Sequence, residues 1–416
     1  MECRNGREAK RQLICIAGKN DIAVSVLDYL LKKKKTDDTY ELCITCNKTE
    51  SGKNSWQRSL RYFAKQKGVK ELEISDLYNV ENLLFISTEY DRLIKPDRFM
   101  SKRLFNLHFS LLPAYKGMFT SAMVLLKGEK YTGVTFHRID AGIDTGEIIA
   151  QRRIELSDED TCRDVYLKLI KWGTSLLIEN LDVVINRQEI SAPQKTDGSS
   201  YYSNNVINYN NVEIDLNQTA DNIKNQIRAF NFREYQLPVV YDRKICGIRI
   251  TDIRSKRKPG EKIFETENGF LINTIDYDIF LYFDKLDELL EACRNDDVQT
   301  VSSLLCTPGL INAAEVVNGW TPLMVSTYNN SKECVRYLIA AGADIKAKNH
   351  NGTNMLMYAK DVFINYKDDY LYRLFLKLGL SPDVKDYEGK TTYDYCMKIP
   401  NLVNTMKDIY NEEVLH

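Results

Sequence analysis

The chain has 416 residues, long enough for about two or three domains with separate cores. Its 57 Lys and Arg nearly match its 58 Asp and Glu, so a net charge of -1 argues against the broad basic surface that nucleic-acid binding demands. No stretch approaches the roughly 20 apolar residues of a membrane span, and the charged opening "MECRNGREAKRQ" lacks the apolar region of a secretory signal, so the expectation is a cytoplasmic protein that avoids membranes.

"LICIAGKNDIAVSVLDYLLKK", from Leu13, reads as a buried strand, a turn at Gly18, Lys19 and Asn20, and an amphipathic helix, which is the βα opening of a doubly wound sheet. Lys32 to Lys35 close that helix as a solvated last turn, with a phosphate contact as the alternative. A GxGxxG fingerprint is missing, so a dinucleotide cofactor is not indicated. "YELCITC" is the next strand. Its Cys43 and Cys46 fall on opposite faces and have no second pair, so no metal site is expected, and ten scattered cysteines suit buried thiols better than disulfides.

"WQRSLRYFAKQKG" reads as a helix closed by Gly68, and "LLFISTEY" and "LFNLHFS" as two further strands. "TGVTFHRID" alternates like a strand with one solvated face, and "DTCRDVYLKLIKWGTSLLIENLDVVI" is a long helix with an Asp or Thr cap. Strand and helix alternate to about residue 190, giving an α/β domain over 1–195.

Residues 194–213 are rich in Ser, Asn, Gly and Tyr and read as a long irregular connection. The segment from "REYQLPVVYDRK" to "DYDIFLYF" alternates in short strands, with turns at Pro259-Gly260 and Asn268-Gly269, so a linker and a small antiparallel β unit fill 196–285. "NGWTPLM", "NGTNMLM" and "EGKTTYD" then share a register whose glycines, 319, 352 and 389, lie 33 and 37 apart. The first spacing is the ankyrin period, and the second implies a short insertion in "DVFINYKDDY". A helical pair at Leu286 to Leu305 and a trailing cap complete three to four stacked units in an all-α ankyrin-repeat domain over 286–416.

Chemistry concentrates between Phe105 and Ile149. Asn106 and His108 are two apart on a strand and face the same side, where a cleft lies if that is the strand's carboxyl end. The other histidines have simpler readings: His137 is one alternating strand position, His350 sits in an ankyrin turn, and His416 is last. His108 is followed by "SLLP", "YKGM" and "DAGIDTG", whose glycines let the backbone turn and aim Asp144 inward. A satisfied core histidine is the alternative. An Asp beside a His fixes its tautomer and favours its protonated form, and an Asn amide can donate to a developing oxyanion. With no Ser or Cys nucleophile implied, these groups suit direct transfer of an acyl group between two amines.

Asn106, His108 and Asp144, set in "FNLHFSLLPAYKG" and "GVTFHRIDAGIDTGEII", resemble the triad of the 10-formyltetrahydrofolate-dependent formyltransferases, a likeness extending over about residues 13 to 190. "NKTESGKNSWQRSL", "GMFTSAM" and "IRAFNFREYQLP" are similar to its bacterial sugar N-formyltransferase branch, and the ankyrin extension resembles the form that uses dTDP-3-amino-3,6-dideoxyglucose. The resemblance implies a Rossmann-like catalytic sheet and formyl transfer from 10-formyltetrahydrofolate to a dTDP-linked amino sugar, for O-antigen or a related surface polysaccharide. It implies a folate pocket lined by Phe85 to Leu93, chiefly Phe85, Ile86, Ser87 and Tyr90, and by the turn from Ile139 to Asp144, chiefly Ile139, Asp140 and Gly142.

For the nucleotide sugar, Arg228 and Arg233 offer phosphate donors, and Phe230, Phe232 and Tyr235 offer stacking surfaces, although aromatics at spacing two also suit a core. Lys19, Asn20, Lys116, Met118 and Tyr202 complete that set, with Tyr201 beside it. Trp320, at an ankyrin turn, points to a second ligand or a protein partner, against simple local packing. A homodimer is compatible with all of this. Methionyl-tRNA formylation shares the same core and is the nearest rival, followed by an ankyrin scaffold carrying an inactive α/β domain.

Overall fold

A computed structural model describes residues 11–414; Met1 to Lys10, which hold most of the charged opening, and His416 lie outside the described residues. Parallel strands β1 (Gln12–Gly18), β2 (Tyr40–Cys46), β3 (Lys70–Glu71), β4 (Leu83–Thr88) and β5 (Leu104–His108) build one side of a sheet. A two-residue strand, β6 (Lys116–Gly117), precedes β7 (Tyr131–Arg138) and β8 (Ile148–Glu155), which join that sheet antiparallel and give the order β3-β2-β1-β4-β5-β7-β8. The order reverses between β1 and β4, so the carboxyl ends of β1, β4 and β5 open on a crevice suited to a ligand.

Helices α1 (Asn20–Lys34), α2 (Leu60–Gln66), α3 (Thr120–Leu126) and α4 (Cys162–Ile185) accompany the sheet. Lys32, Lys33 and Lys34 fill the last turn of α1, where the helix dipole favours them, and Lys33 is paired with Asp182. Thr161 caps α4 in a reciprocal capping box with Asp164. The one-sided solvation expected of "TGVTFHRID" is corrected: β7 is buried continuously from Thr132 to His137, because it is an inner strand between β5 and β8 and α4 packs along it.

Residues 194–213 are irregular apart from β9 (Tyr201–Tyr202), which pairs in parallel with β6. Helix α5 (Ala220–Phe230) follows. Strands β10 (Val239–Val240), β11 (Arg243–Ile250), β12 (Lys262–Thr266), β13 (Gly269–Ile272) and β14 (Ile279–Phe283) form the antiparallel sheet β10-β11-β14-β13-β12. Ala220, Ile223 and Ile227 of α5 join a core with Ile245, Phe270, Ile272, Ile279 and Leu281 of that sheet.

Four helix pairs follow among the described residues: α6 (Leu286–Arg294) with α7 (Val298–Leu304), α8 (Pro322–Tyr328) with α9 (Lys332–Ala340), α10 (Met355–Tyr366) with α11 (Tyr370–Lys377), and α12 (Thr392–Cys396) with α13 (Leu402–Val414). The widened spacing is taken up inside a helix, since α10 has 12 residues where α8 has 7. Asn349 and Asp386 fix successive turns by accepting backbone N–H groups from Asn351 and Thr353, and from Glu388 and Lys390. Cys246 of β11 belongs to the same hydrophobic core as Leu289, Leu290 and the later helices, so the small sheet and the helical stack share an interior.

The chain divides into two units by its contacts, one running to Lys53 with Gln57–Val212 and Arg228–Phe232, the other holding Asn54–Trp56, Glu213–Ile227 and everything from Arg233. Among the described residues no helix is long and apolar enough to cross a membrane.

Candidate active site

At the carboxyl ends of β4 and β5 the first unit has a cleft of about 430 Å³, lined by Asn106, His108 and Asp144 among others. The strand period sets Asn106 and His108 on one face, and Asp144 is brought to them by the turn after β7. Asp144 itself adopts φ of 53°, a left-handed conformation that Asp tolerates, and Gly146 packs so closely on the Arg138 carbonyl that a Cβ would sit 1.9 Å from its oxygen.

Asp144 Oδ2 accepts from the Gly117 N–H at 2.9 Å and lies 3.5 Å from His108 Nδ1, while Oδ1 accepts from Asn106 Nδ2 at 3.4 Å. Burial alone would raise this carboxyl's pKa, but His108, His137 and the Gly117 N–H outweigh it and bring it to about 2. For His108 the balance runs the other way. Burial lowers its pKa below the ordinary histidine value, against the opposing pull of Asp144 and the Tyr115 carbonyl. Asp144 thus favours the protonated ring, as expected, but burial outweighs it in the free protein. His108 Nε2 is 2.8 Å from the Tyr115 carbonyl, which can only accept, so the neutral ring carries its hydrogen there and presents a bare Nδ1 toward Asp144.

His137 also belongs to this constellation, contrary to its reading as an ordinary strand position. It stands directly across from Asn106 in the β5–β7 register. Its Nδ1 donates to the Arg138 carbonyl at 2.7 Å, which leaves Nε2 to accept from Asn106 Nδ2 at 3.1 Å. Both hydrogens of the Asn106 amide thus have acceptors, and the longer contact, to Asp144, is the one a substrate oxygen can replace.

Of the residues assigned to folate, Ser87, Tyr90, Ile139, Asp140 and Gly142 line the cleft. Phe85 and Ile86 do not: both are fully buried within β4, a central strand that offers the cleft only its carboxyl end. Leu93 and Ile143, inside the two segments assigned to folate but not singled out there, are 67% and 44% exposed at the cleft. An isoleucine inside a turn otherwise made of small and polar residues was the available signal. Apolar surface beside Ser87 and Asp140 fits a pterin, which needs a hydrophobic wall and several hydrogen-bond partners.

Glu89, within the first of those segments but given no role of its own, lines the same cleft from the loop after β4, with a left-handed φ of 55°. Its Oε1 accepts from the Tyr166 hydroxyl at 2.6 Å, and Tyr166 accepts from Gln57 at 2.9 Å and Asn20 at 3.3 Å. Burial raises its carboxyl pKa to about 6 despite the Tyr166 hydroxyl, Lys19 and Asn20.

Met118 lines the cleft, and Lys116 and Tyr202 sit on the paired strands β6 and β9, Lys116 donating to Ser199 and Tyr202 stacking on Tyr115 at 5.5 Å. Lys19 and Asn20 occupy the β1–α1 turn, with Asn20 held by Tyr166. The phosphate roles expected of Arg228 and Arg233 and the stacking roles expected of Phe230 and Phe232 are corrected. Arg228 is buried, and its guanidinium donates to the carbonyls of Asp160 at 2.8 Å and Ser157 at 2.7 Å. Phe230 and Phe232 are buried core residues, and Arg233 forms a two-pronged pair with Asp284 at 2.7 and 2.6 Å. Tyr235 stays 60% exposed, edge-on to Trp56. Trp320 is half-buried, edge-on to Tyr328 and Tyr358, each 5.1 Å away.

A formyl transferase family model matches residues 14–181, and a model of three ankyrin repeats matches residues 289–386. The chain is similar to the solved N-formyltransferase of Helicobacter canadensis, in complex with folinic acid and dTDP-3-aminofucose, at 39% identity and a TM-score of 0.59, over 65% of this chain and 99% of that one. It is similar to WlaRD, a sugar 3N-formyl transferase solved with dTDP and 5-N-formyl-THF, at 40% identity and a TM-score of 0.61, over 66% and 98%. Methionyl-tRNA formyltransferase of Fervidobacterium nodosum is 29% identical over 231 residues, 52% of this chain and 71% of that one.

Proposed function

Since this chain belongs to the formyl transferase family, we propose that it moves a formyl group from 10-formyltetrahydrofolate to the amino group of a dTDP-linked amino-dideoxy sugar. The specific acceptor in this reading is dTDP-3-amino-3,6-dideoxyglucose, and the product serves a surface polysaccharide such as O-antigen, made in the cytoplasm. The observation that carries it is the meeting of Asn106, His108 and Asp144 at one cleft. Two similar proteins of known structure bind dTDP or a dTDP-amino sugar, which supports the nucleotide class.

The folate supplies the formyl group, and Ser87, Tyr90, Ile139, Asp140 and Gly142 would hold it, with Leu93 and Ile143 covering it from water. Asn106 Nδ2, released from Asp144, donates to the carbonyl oxygen as negative charge develops there. His108 Nδ1 takes the proton that the attacking nitrogen must shed, and Asp144 steadies the resulting imidazolium. His137 orients the Asn106 amide. Met118, Lys116, Tyr202, Lys19 and Asn20 remain the residues we assign to the nucleotide sugar.

We assign the catalytic role to residues 1–195, a linker and β subdomain to 196–285, and a separate binding role to the ankyrin domain over 286–416. Trp320 with the 45% exposed Tyr328 is the place on it for a second ligand or a partner. Methionyl-tRNA formylation is the second reading, favoured by the name of a similar protein and opposed by the net charge of -1.

A panel of amino-sugar nucleotides with 10-formyltetrahydrofolate, read by mass for one added formyl group, tests the assignment. Formylation of a dTDP-3-amino-3,6-dideoxyhexose is the expected result. Formylation of charged initiator tRNA with every sugar untouched would transfer the assignment to the rival.

A further inference from the structure

An amine attacks a formyl carbon only as the free base, yet an amino sugar enters at neutral pH largely as its ammonium ion. The triad accounts for the proton shed during attack. The earlier proton, the one that makes the ammonium unreactive, needs its own acceptor.

Glu89 is a carboxylate on the wall of the same cleft as His108 and Asn106. Its Oε1 is fixed by the Tyr166 hydroxyl at 2.6 Å, itself braced by Gln57 and Asn20. Its Oε2 is screened from water and has no hydrogen-bond partner among the described residues. Such an atom is costly to leave alone, more so when charged, and a ligand N–H that a turn of the carboxylate brings within reach relieves that cost. The loop is held in shape behind it, with the buried Asn47 side chain donating to the Glu89 carbonyl at 2.8 Å.

We propose that Glu89 receives the acceptor's ammonium group in the cleft and takes one proton from it, leaving the free amine beside the triad. This rests on the formyl-transfer reading above. One N–H bond of the ammonium breaks and one O–H bond forms at Glu89, giving a neutral amine and a neutral carboxylic acid. In the transfer that follows, the nitrogen bonds to the formyl carbon and loses a second proton through His108, which goes to the nitrogen of the donor as its bond to that carbon breaks. Glu89 then returns its proton to water, so each turnover that starts from an ammonium releases one proton.

The charged and titratable groups around Glu89 suit the task. Lys19 and Asn20 of the β1–α1 turn and Tyr166 of α4 favour the ionised form, Asp21 of α1 opposes it, and burial opposes it most. The result is a carboxylate that is ionised at neutral pH but basic enough to hold a proton.

The test is the pH profile of kcat/KM with dTDP-3-amino-3,6-dideoxyglucose and 10-formyltetrahydrofolate. Glu89→Gln keeps the shape and can use only amine already free in solution. Its kcat/KM should fall on the order of 100-fold at pH 7, then climb about tenfold per pH unit until the deficit closes near the pKa of the acceptor amine. A deficit of constant size at every pH, or none, overturns the proposal.

Tyr166→Phe keeps the carboxylate and removes its donor, so the acid limb should move to higher pH. A limb that stays in place overturns the proposal even if Glu89→Gln does not fold. Absence of formyl transfer by the unaltered protein overturns the functional reading as well, whereas transfer with a pH-independent deficit overturns only the role of Glu89.

Discussion

Two carboxyl groups of one cleft are pushed in opposite directions, Asp144 down to about 2 and Glu89 up to about 6. Each shift implies a change of stability with pH of opposite sign. A depressed carboxyl stabilises the fold above its unfolded pKa and loses that contribution as pH falls through the folded value, so the stability Asp144 draws from a protonated His108 is lost as pH falls from about 4 toward 2. A raised carboxyl costs stability once it is ionised, so Glu89→Gln should stabilise the protein by roughly 2 kcal/mol above pH 6 and by nothing below about pH 4. Urea unfolding from pH 3 to 8 measures the Glu89 effect, and acid unfolding of Asp144→Asn the other. In catalysis, Asn106→Ala, His108→Asn and Asp144→Asn should each lower turnover by about 100- to 1,000-fold. Steady-state rates decide this, with calorimetric binding of the nucleotide sugar to separate lost chemistry from a lost pocket. Asn106, His108 and Asp144 were legible because a two-residue strand spacing and a glycine-rich turn are local signals. His137 was not, since its meeting with Asn106 depends on which strand lies opposite and in what register. Arg228 misled for a related reason: an arginine in sequence looks available, and the Ser157 and Asp160 carbonyls that hold it lie about 70 positions away.

Among the elements, the two-residue ladder of β6 and β9 matters more than its length suggests. Gly117 has φ of 89°, its N–H supports Asp144, and a Cβ there would meet the Tyr202 carbonyl oxygen at 2.1 Å. Gly117→Ala should therefore separate the two strands, raise the Asp144 pKa by removing a donor to the carboxylate, and cost roughly 2 kcal/mol of stability. Denaturant unfolding together with an NMR titration of Asp144 would register both effects. The strands, the long capped helix and the antiparallel unit could all be read from periodicity, caps and turn residues. The inner position of β7 could not, because "TGVTFHRID" carries polar residues that are paired in the structure, such as Thr135 donating to the Ser110 carbonyl at 2.6 Å. The 33- and 37-residue spacings located the repeats, and the longer α10 shows that the insertion preserved the turns at both ends of the unit.

For the whole molecule, the catalytic family and the repeats were both visible in sequence, whereas the acceptor depends on side chains that few local rules identify. About a third of this chain has no counterpart in the two similar sugar-enzyme structures, which it covers almost completely. The function we assign to that third can be tested apart from the chemistry. Trp320→Ala removes two edge-on ring contacts and should destabilise the helical stack by about 2 to 3 kcal/mol while leaving turnover at a saturating acceptor unchanged. Thermal melts followed by steady-state kinetics check both halves. The interior shared by Cys246, Leu289 and Leu290 has a further consequence. Pro308 lies 3.4 Å from where a Cβ on Gly247 would stand, so the β sheet acts as the end plate of the helical array. A free-standing array requires a polar terminal repeat at each end, and here the leading one has been replaced by a graft onto the sheet. Adding or removing one repeat should thus be tolerated only on the far side of the first helical pair, where it would not tear the graft.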